Sequence, residues 1–123
     1  MDQTAERREL AALDWNDLVA RCMGRIEFAE RILAKFQQLF CEDLATLERA
    51  LESEDVETIR RVAHRLKGAS ANVSAGALHA EVARIEEAAR ANRVAEIPNR
   101  LDRLREEWSR FRGAVESSAS LTS

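Results

Sequence analysis

Residues 62–72 read Val-Ala-His-Arg-Leu-Lys-Gly-Ala-Ser-Ala-Asn, and they divide into two faces when placed on a helix at about 100° per residue. Apolar and small residues in and around the stretch share one face, which we expect to be buried: Ile59, Val62, Leu66, Ala69, Ser70 and Val73. His64 lies about 180° from the centre of that face. Lys67, Gly68 and Ala71 follow it on the exposed face, at positions i+3, i+4 and i+7. The stretch therefore predicts a helix that packs through one side and presents a histidine to solvent on the other.

The amino-acid composition favours a single all-helical domain. The chain has 123 residues, of which 46% are hydrophobic and 33% charged, with one proline and four glycines; this balance favours helices over sheets. Its net charge of −3 lacks the basic excess typical of nucleic-acid binding, and no apolar run approaches the roughly 20 residues of a membrane span. We therefore expect neither nucleic-acid binding nor membrane insertion. Cys22 and Cys41 lack a CxxC spacing, which predicts free thiols in a reducing cytoplasm.

Four segments carry apolar residues at steps of three and four, the pattern of amphipathic helices. They cover residues 28–51, 55–73, 78–89 and 97–115. Asp55 is the expected N-cap of the second segment, and Ser74 that of the third. Because only short turns separate the segments, the sequence predicts an all-α fold, an antiparallel four-helix bundle in up-down-up-down order.

A short amphipathic segment precedes the bundle. It covers residues 13–22, with Asp14 as the expected N-cap and Met23-Gly24 as its end. We expect this segment to form a short helix across one end of the bundle, with Trp15 inserted in the core.

The two ends of the chain differ from the bundle in composition. Residues 1–11 are polar, and the segment Thr4–Leu10 within them forms either a short helix or no fixed structure. After Gly113 the sequence is rich in serine and the apolar pattern stops at Val115, so we expect the last helix to fray there. The predicted division is a polar N-terminal extension at 1–11, the bundle at 12–116 and a disordered tail at 117–123.

The residues around His64 provide what a phosphoryl-accepting histidine requires. A neutral imidazole is a good nucleophile near pH 7, and Lys67 at i+3 supplies a cation for phosphoryl oxygens. Gly68 at i+4 leaves a gap through which a second protein can approach. Since a glycine inside a helix costs about 1 kcal/mol relative to alanine, its presence indicates a purpose other than helix stability. The alternative is that Gly68 lets two helices pack closely.

Residues 64–71, His-Arg-Leu-Lys-Gly-Ala-Ser-Ala, resemble the HxxKG-(S/A)-(S/A) signature of histidine-containing phosphotransfer (HPt) domains. The likeness continues through Asn72, Gly76 and Leu78 and covers residues 13–116. It implies a bundle in which the histidine accepts a phosphoryl group from a receiver-domain aspartate and passes it to another receiver in a bacterial phosphorelay, without ATP-dependent kinase activity of its own. It also implies that Mg²⁺ belongs to the receiver and that this chain needs no cofactor. Both a free-standing carrier and a domain of a hybrid sensor kinase are compatible with it.

Glu86 is a further candidate, because of the geometry of antiparallel helices. With a turn near Ser74-Ala75, facing residues of the two helices have numbers that sum to roughly 150, so His64 faces positions 84–86. Glu86 can there accept a hydrogen bond from Nδ1 and leave Nε2 as the nucleophile. Many HPt domains have glutamine at this position and some have glutamate; an ordinary surface glutamate is the alternative.

The expected partner surface surrounds His64. Arg60 at i−4 and Arg61 at i−3 form a positive rim suited to an acidic receiver pocket, unless they are simply solvated, and Ala71 adds an apolar contact. The expected partners are receiver domains, and because a relay must release each of them, we expect transient binding. We also expect the chain to be a monomer.

Two other classes of function remain open. The first is a helical adaptor or scaffold that makes no use of His64. The second is a metal or cofactor protein, which needs polar ligands inside the bundle, where the apolar segments offer none. His79 lacks a following Lys-Gly and is expected to be solvated, and Cys22, Cys41, His64 and His79 lack a zinc-like spacing.

Overall fold

The computed structural model describes residues 11–122 and, among these, the side chains of residues 11–118. Five α-helices and one 3-10 turn form the regular structure of this part of the chain, which contains no strand. The elements are α1 (Trp15–Arg21), α2 (Ile26–Glu52), α3 (Val56–Asn72), α4 (Gly76–Arg90), the 3-10 turn (Val94–Glu96) and α5 (Ile97–Thr122). The predicted all-α bundle with a short N-terminal helix is therefore confirmed. The extension predicted at 1–11, with the segment Thr4–Leu10, lies outside the described residues except for Ala11.

Aspartate side chains begin two of the helices, as the sequence predicts. The Asp14 carboxylate accepts a hydrogen bond from the Asp17 N–H at 3.0 Å at the start of α1. Asp55 accepts one from the Thr58 N–H at 3.2 Å at the start of α3. Each bond satisfies one of the backbone donors that the first turn of a helix leaves without an intrahelical partner.

Ser74 is not the N-cap of α4, contrary to the prediction. Ala75 holds that position, without a side-chain hydrogen bond. Ser74 lies one residue earlier, where the chain leaves α3 through a φ of 59°, and its hydroxyl donates to Asp17 Oδ2 at 2.6 Å. Ser74 lies one residue too early in the chain to cap α4. Its hydroxyl instead links α1 to the α3–α4 turn.

Aromatic side chains of α2 and α5 form the centre of the core. Phe40 stacks on Trp108 with the ring centroids 4.2 Å apart. Phe36 lies edge-on to Phe111 with the ring centroids 5.3 Å apart. Because α2 and α5 are the first and last long helices, these contacts close the bundle.

Leu18, and not Trp15 as predicted, fills the end of the core beneath α1. Leu18 is 1% exposed, and Cys22 one turn later is also buried, whereas Trp15 is only half-buried. Leu18 and Cys22 share the inward face of α1. Trp15 packs at the edge of the core instead, where an indole can keep its N–H near solvent.

The last helix, α5, continues to Thr122. The apolar pattern stops at Val115, and the disordered tail expected at 117–123 stays a prediction. No proline follows Gly113, so nothing stops helix propagation, which adds one hydrogen bond for each residue. The boundary at residue 116 stays a prediction. Neither α5 nor any other helix within residues 11–122 is long and apolar enough to cross a membrane.

Three of the side-chain pairs between neighbouring helices mark their register. They are Asp43 of α2 with Arg65 of α3, His64 of α3 with Glu86 of α4, and Glu48 of α2 with Arg105 of α5. The second pair is the one that antiparallel pairing about the turn at 74–75 predicts. It places His64 near the middle of α3, between the two helices that flank it.

Candidate functional site

His64 stands on the solvent side of α3, as the sequence predicts. Its side chain is 61% exposed, whereas Val62, Ala63 and Leu66 around it in the sequence are buried in the core. Packing of the bundle therefore does not require the imidazole, which is free to meet a second molecule.

A buried glutamate lies beneath the imidazole. The Glu86 side chain is 5% exposed, and its Oε2 is 2.6 Å from Nδ1 of His64. The pairing predicted from the antiparallel geometry is present, and the alternative of an ordinary surface glutamate is wrong, because Glu86 faces α3 and is covered by it. A carboxylate so placed stays charged only if other groups compensate for the loss of water.

Two cations provide that compensation. Lys67 Nζ lies 2.7 Å from Oε1 of Glu86, and Arg90 Nη2 lies 3.2 Å from Oε2. The predicted cation Lys67 is thus bound to Glu86 in this structure. Arg90 was not predicted. The signal that could have found it is its i+4 spacing from Glu86 on α4, which makes the two residues neighbours on one helix face.

The protonation of the His64–Glu86 pair follows from the pKa of Glu86. Burial by itself raises that pKa, but the hydrogen bonds from Lys67 and His64 together with the charges of these two residues outweigh burial, so the pKa of Glu86 lies below its ordinary value of 4.5. The carboxylate is therefore ionised at neutral pH and can only accept hydrogen bonds. The proton in this bond accordingly belongs to Nδ1, and the lone pair of the neutral ring is on Nε2.

Gly68 leaves open space beside His64. A Cβ built on Gly68 meets no heavy atom within 4 Å beyond its own helix. The alternative of close helix packing therefore fails, because the bundle has room for a side chain at this position. Because Gly68 has no side chain, the surface one turn along α3 from the imidazole is unobstructed.

The two predicted rim arginines lie on the N-terminal side of His64. Arg60 pairs with Glu57 of the same helix, which raises the pKa of Arg60. Arg61 Nη2 is 3.4 Å from Oγ1 of Thr58. Both guanidinium groups are thus held by side chains one turn earlier on α3. The positive rim is therefore formed and positioned by residues of α3 alone.

Ala71 marks the C-terminal side of the same face. It is exposed, and its carbonyl oxygen accepts a hydrogen bond from Arg21 Nη1 at 3.0 Å. This bond joins the end of α1 to the face of α3 that carries His64.

Exposed apolar residues follow α1. Met23, Ile26 and Phe28 are 87%, 42% and 49% exposed. Phe28 belongs to the apolar pattern of α2, yet the inward positions at this end of the helix are those of Ala29 and Leu33, which are buried. The apolar pattern could not distinguish the exposed Phe28 from its buried neighbours, because the pattern starts at Phe28, at one end of the bundle.

His79 is not solvated as predicted. It is half-buried, and its Nδ1 donates to the backbone oxygen of Lys67 at 3.0 Å. The first turn of α4 packs on α3 at this level, so the ring is held between the two helices. In the described part of the chain, no group of three or more His, Cys, Asp or Glu residues is placed to hold a metal ion.

An antiparallel helical bundle that presents a histidine from its second long helix, with lysine and glycine at i+3 and i+4, has the architecture of a histidine phosphotransfer domain. The family model described as Hpt domain matches residues 31–114, and the chain belongs to this family. Its structure is similar to the crystal structure of histidine-containing phosphotransfer protein B (HptB) from Pseudomonas aeruginosa PAO1, with a TM-score of 0.81 and 25% sequence identity, covering 87% of this chain and 93% of that chain. No curated protein matches the chain.

Proposed function

We propose that the chain is a phosphorelay intermediate whose phosphoacceptor is His64. It takes a phosphoryl group from the aspartate of one receiver domain and passes it to the aspartate of another. The observation that carries the proposal is the hydrogen bond of 2.6 Å between His64 and Glu86, because it commits Nδ1 to the buried carboxylate and leaves the Nε2 lone pair on an exposed ring.

The transfer itself exchanges one bond for another. The Nε2 lone pair attacks the phosphorus of an aspartyl phosphate, an N–P bond forms, and the P–O bond breaks with its electron pair left on the aspartate oxygen. The reverse exchange delivers the phosphoryl group to the next receiver. Neither step uses ATP, and both proceed with the Mg²⁺ that the receiver is expected to hold, so this chain needs no cofactor of its own.

Glu86 assists the step from beneath the ring. As the N–P bond forms, positive charge develops on the imidazole, and a buried carboxylate on Nδ1 stabilises that charge more strongly than an exposed one would. The geometry thus favours the state that holds the phosphoryl group.

Lys67 also serves to bind the phosphoryl group, and its contact with Glu86 does not prevent this. An ammonium carries three N–H donors, of which one contacts Glu86. The side chain is 33% exposed, so the ammonium can turn toward phosphoryl oxygens on His64. Arg90 remains on Glu86 when this happens, so the carboxylate keeps a cation throughout transfer.

Receiver domains are the partners that this surface suits. Open space at Gly68 admits the receiver's active site, Arg60 and Arg61 meet acidic groups around it, and Ala71 adds an apolar contact. The exposed Met23 and Phe28 extend the apolar part beyond α1. Small mixed surfaces are typical of transient complexes, which bury less than about 1,200 Å². We expect a cytoplasmic monomer, either free-standing or part of a hybrid kinase.

The test uses a receiver domain that carries a radioactive phosphoryl group on its aspartate, supplied by labelled acetyl phosphate and Mg²⁺. We expect the chain to acquire an acid-labile label that is lost in His64→Gln, while circular dichroism shows unchanged helix content. His79→Gln is the matched control and should keep the label. Failure of every receiver to label the wild-type chain, or retention of the label in His64→Gln, would favour the adaptor function instead.

A further inference from the structure

A second buried carboxylate lies on the other side of His64. Asp43 of α2 is 6% exposed in its side chain, between the inward positions of Phe40 and Leu47. It accepts two hydrogen bonds from Arg65, from Nε at 3.0 Å and from Nη2 at 2.6 Å. Arg65 is the residue directly after His64.

The two buried carboxylates act on opposite flanks of α3. On the helix, Lys67 lies about 60° to one side of His64 and Arg65 about 100° to the other. Lys67 is held by Glu86 of α4, and Arg65 is held by Asp43 of α2. His64 therefore stands between two cations, each attached to a different neighbouring helix.

Stability alone is a poor explanation for the Asp43–Arg65 pair. Removing a carboxylate from water is costly, and well-packed apolar residues in place of a buried ion pair are often as stable or more stable. The distinctive result of this pair is the position of the guanidinium. Its plane is fixed by two parallel hydrogen bonds, while 58% of the side chain remains exposed.

Arg65 retains donors for a partner. A guanidinium has five N–H groups, and two of them bind Asp43, so the others are directed away from that carboxylate. The hydrogen bond to Asp43 raises the pKa of Arg65, so the group stays charged. Because its orientation is already fixed, binding a partner's carboxylate loses little side-chain entropy.

The charge around His64 indicates an acidic partner. The chain as a whole has a net charge of −3, yet the cations on and beside the exposed face of α3 are Arg60, Arg61, Arg65, Lys67 and Arg90. Two of the three carboxylates that pair with them, Asp43 and Glu86, are buried. Solvent and partners therefore meet mainly the positive groups.

We propose that Arg65, held in place by Asp43, is a specificity residue that binds a carboxylate at the rim of the receiver's docking surface. This inference rests on the proposed phosphotransfer function and extends it to the choice of partner. Lys67 serves the phosphoryl group on one flank of His64, and Arg65 serves the receiver protein on the other.

The experiment measures single-turnover transfer from a receiver domain phosphorylated with acetyl phosphate, over a range of receiver concentrations. The test variant is Asp43→Ala with Arg65→Ala, which leaves no buried charge unpaired. The matched control is Glu48→Ala with Arg105→Ala, which removes another ion pair between α2 and a neighbouring helix. Thermal unfolding followed by circular dichroism verifies that both variants fold.

We expect the test variant to raise the half-saturating receiver concentration about tenfold, as for loss of one charge-assisted contact, with the rate at saturation unchanged. The control should match the wild type in both quantities. Arg65→Lys keeps the charge but cannot make the two parallel bonds, so it should recover only part of the loss.

Three results would overturn the inference. If the wild type is labelled and the test variant has the same half-saturating concentration, Arg65 does not contact the receiver, although the proposed function stands. If Arg65→Lys behaves as the wild type, the fixed orientation has no role. If no receiver labels the wild type, the proposed function fails and this inference fails with it.

Discussion

Nδ1 of His64 and Oε2 of Glu86 lie 2.6 Å apart across the α3–α4 interface, although 22 positions separate the two residues in the chain. One partner is 61% exposed and the other 5%. The contact therefore connects an exposed imidazole with a buried charge that solvent screens little.

Acid should weaken the contribution of Glu86 to stability. Its pKa is lowered on folding, so the stabilisation is present above the ordinary value of 4.5 and is lost as the pH falls through the lower, folded-state value. We expect the wild type to unfold at higher urea concentration than Glu86→Gln at pH 6, and the difference to shrink as the pH falls below 4.5 and through the lower folded-state pKa of Glu86. Glu87→Gln, one residue later and exposed, is the control; a difference that does not depend on pH in Glu86→Gln would contradict the prediction.

Lys67→Ala should slow phosphotransfer far more than it affects folding. It removes a hydrogen bond to a charged group, worth about 1.5–3 kcal/mol where formed, which corresponds to roughly a tenfold or greater loss of rate. Lys35→Ala removes the other lysine, which is exposed on α2, and should transfer as the wild type does. Equal rates for the two variants, measured from the same phosphorylated receiver, would show that Lys67 serves only the structure.

Gly68→Gln should raise stability and obstruct transfer. The bundle has room for the new side chain, and helix propensity improves by about 0.5–1 kcal/mol. Gly113 is also an exposed glycine inside a helix with open space around it, so Gly113→Gln should show a similar rise in melting temperature with normal transfer. Normal transfer in Gly68→Gln would refute the idea that the glycine provides access for the receiver.

Arg60→Glu combined with Arg61→Glu should slow association with the receiver and weaken its salt dependence. Charges at the rim of an interface chiefly set the association rate, and both arginines lie one turn before His64. Arg103→Glu with Arg112→Glu makes the same change of charge on the exposed side of α5 and should have little effect. NMR shift mapping provides the second measurement: perturbations that cluster on residues 100–112, with none near His64, would leave the docking surface without support.

Short-range sequence information determined most of the fold. Steps of three and four in the apolar residues indicated the helices, and aspartates at their starts indicated two of the caps, because both depend on residues within one or two turns. The exposure of His64 with Lys67 and Gly68 followed for the same reason, since a helical stretch with one apolar face leaves only one side for polar groups.

The sequence also predicted which residue faces His64, but not what surrounds that residue. Antiparallel pairing about a short turn indicates Glu86, since it needs only the position of the turn. The burial of Glu86 depends on how closely α3 and α4 pack. So does the arrangement in which Glu86 pairs with both Lys67 and Arg90.

Only the tertiary structure decided the features that join distant helices. The Asp43–Arg65 pair, the burial of Leu18 in place of Trp15 and the contact of His79 with the Lys67 carbonyl each depend on packing between elements. The physical reason is that periodicity specifies the direction of a side chain from its own helix axis. Its burial and partners depend on which helix lies in that direction and at what height, which is set by the packing of the whole bundle.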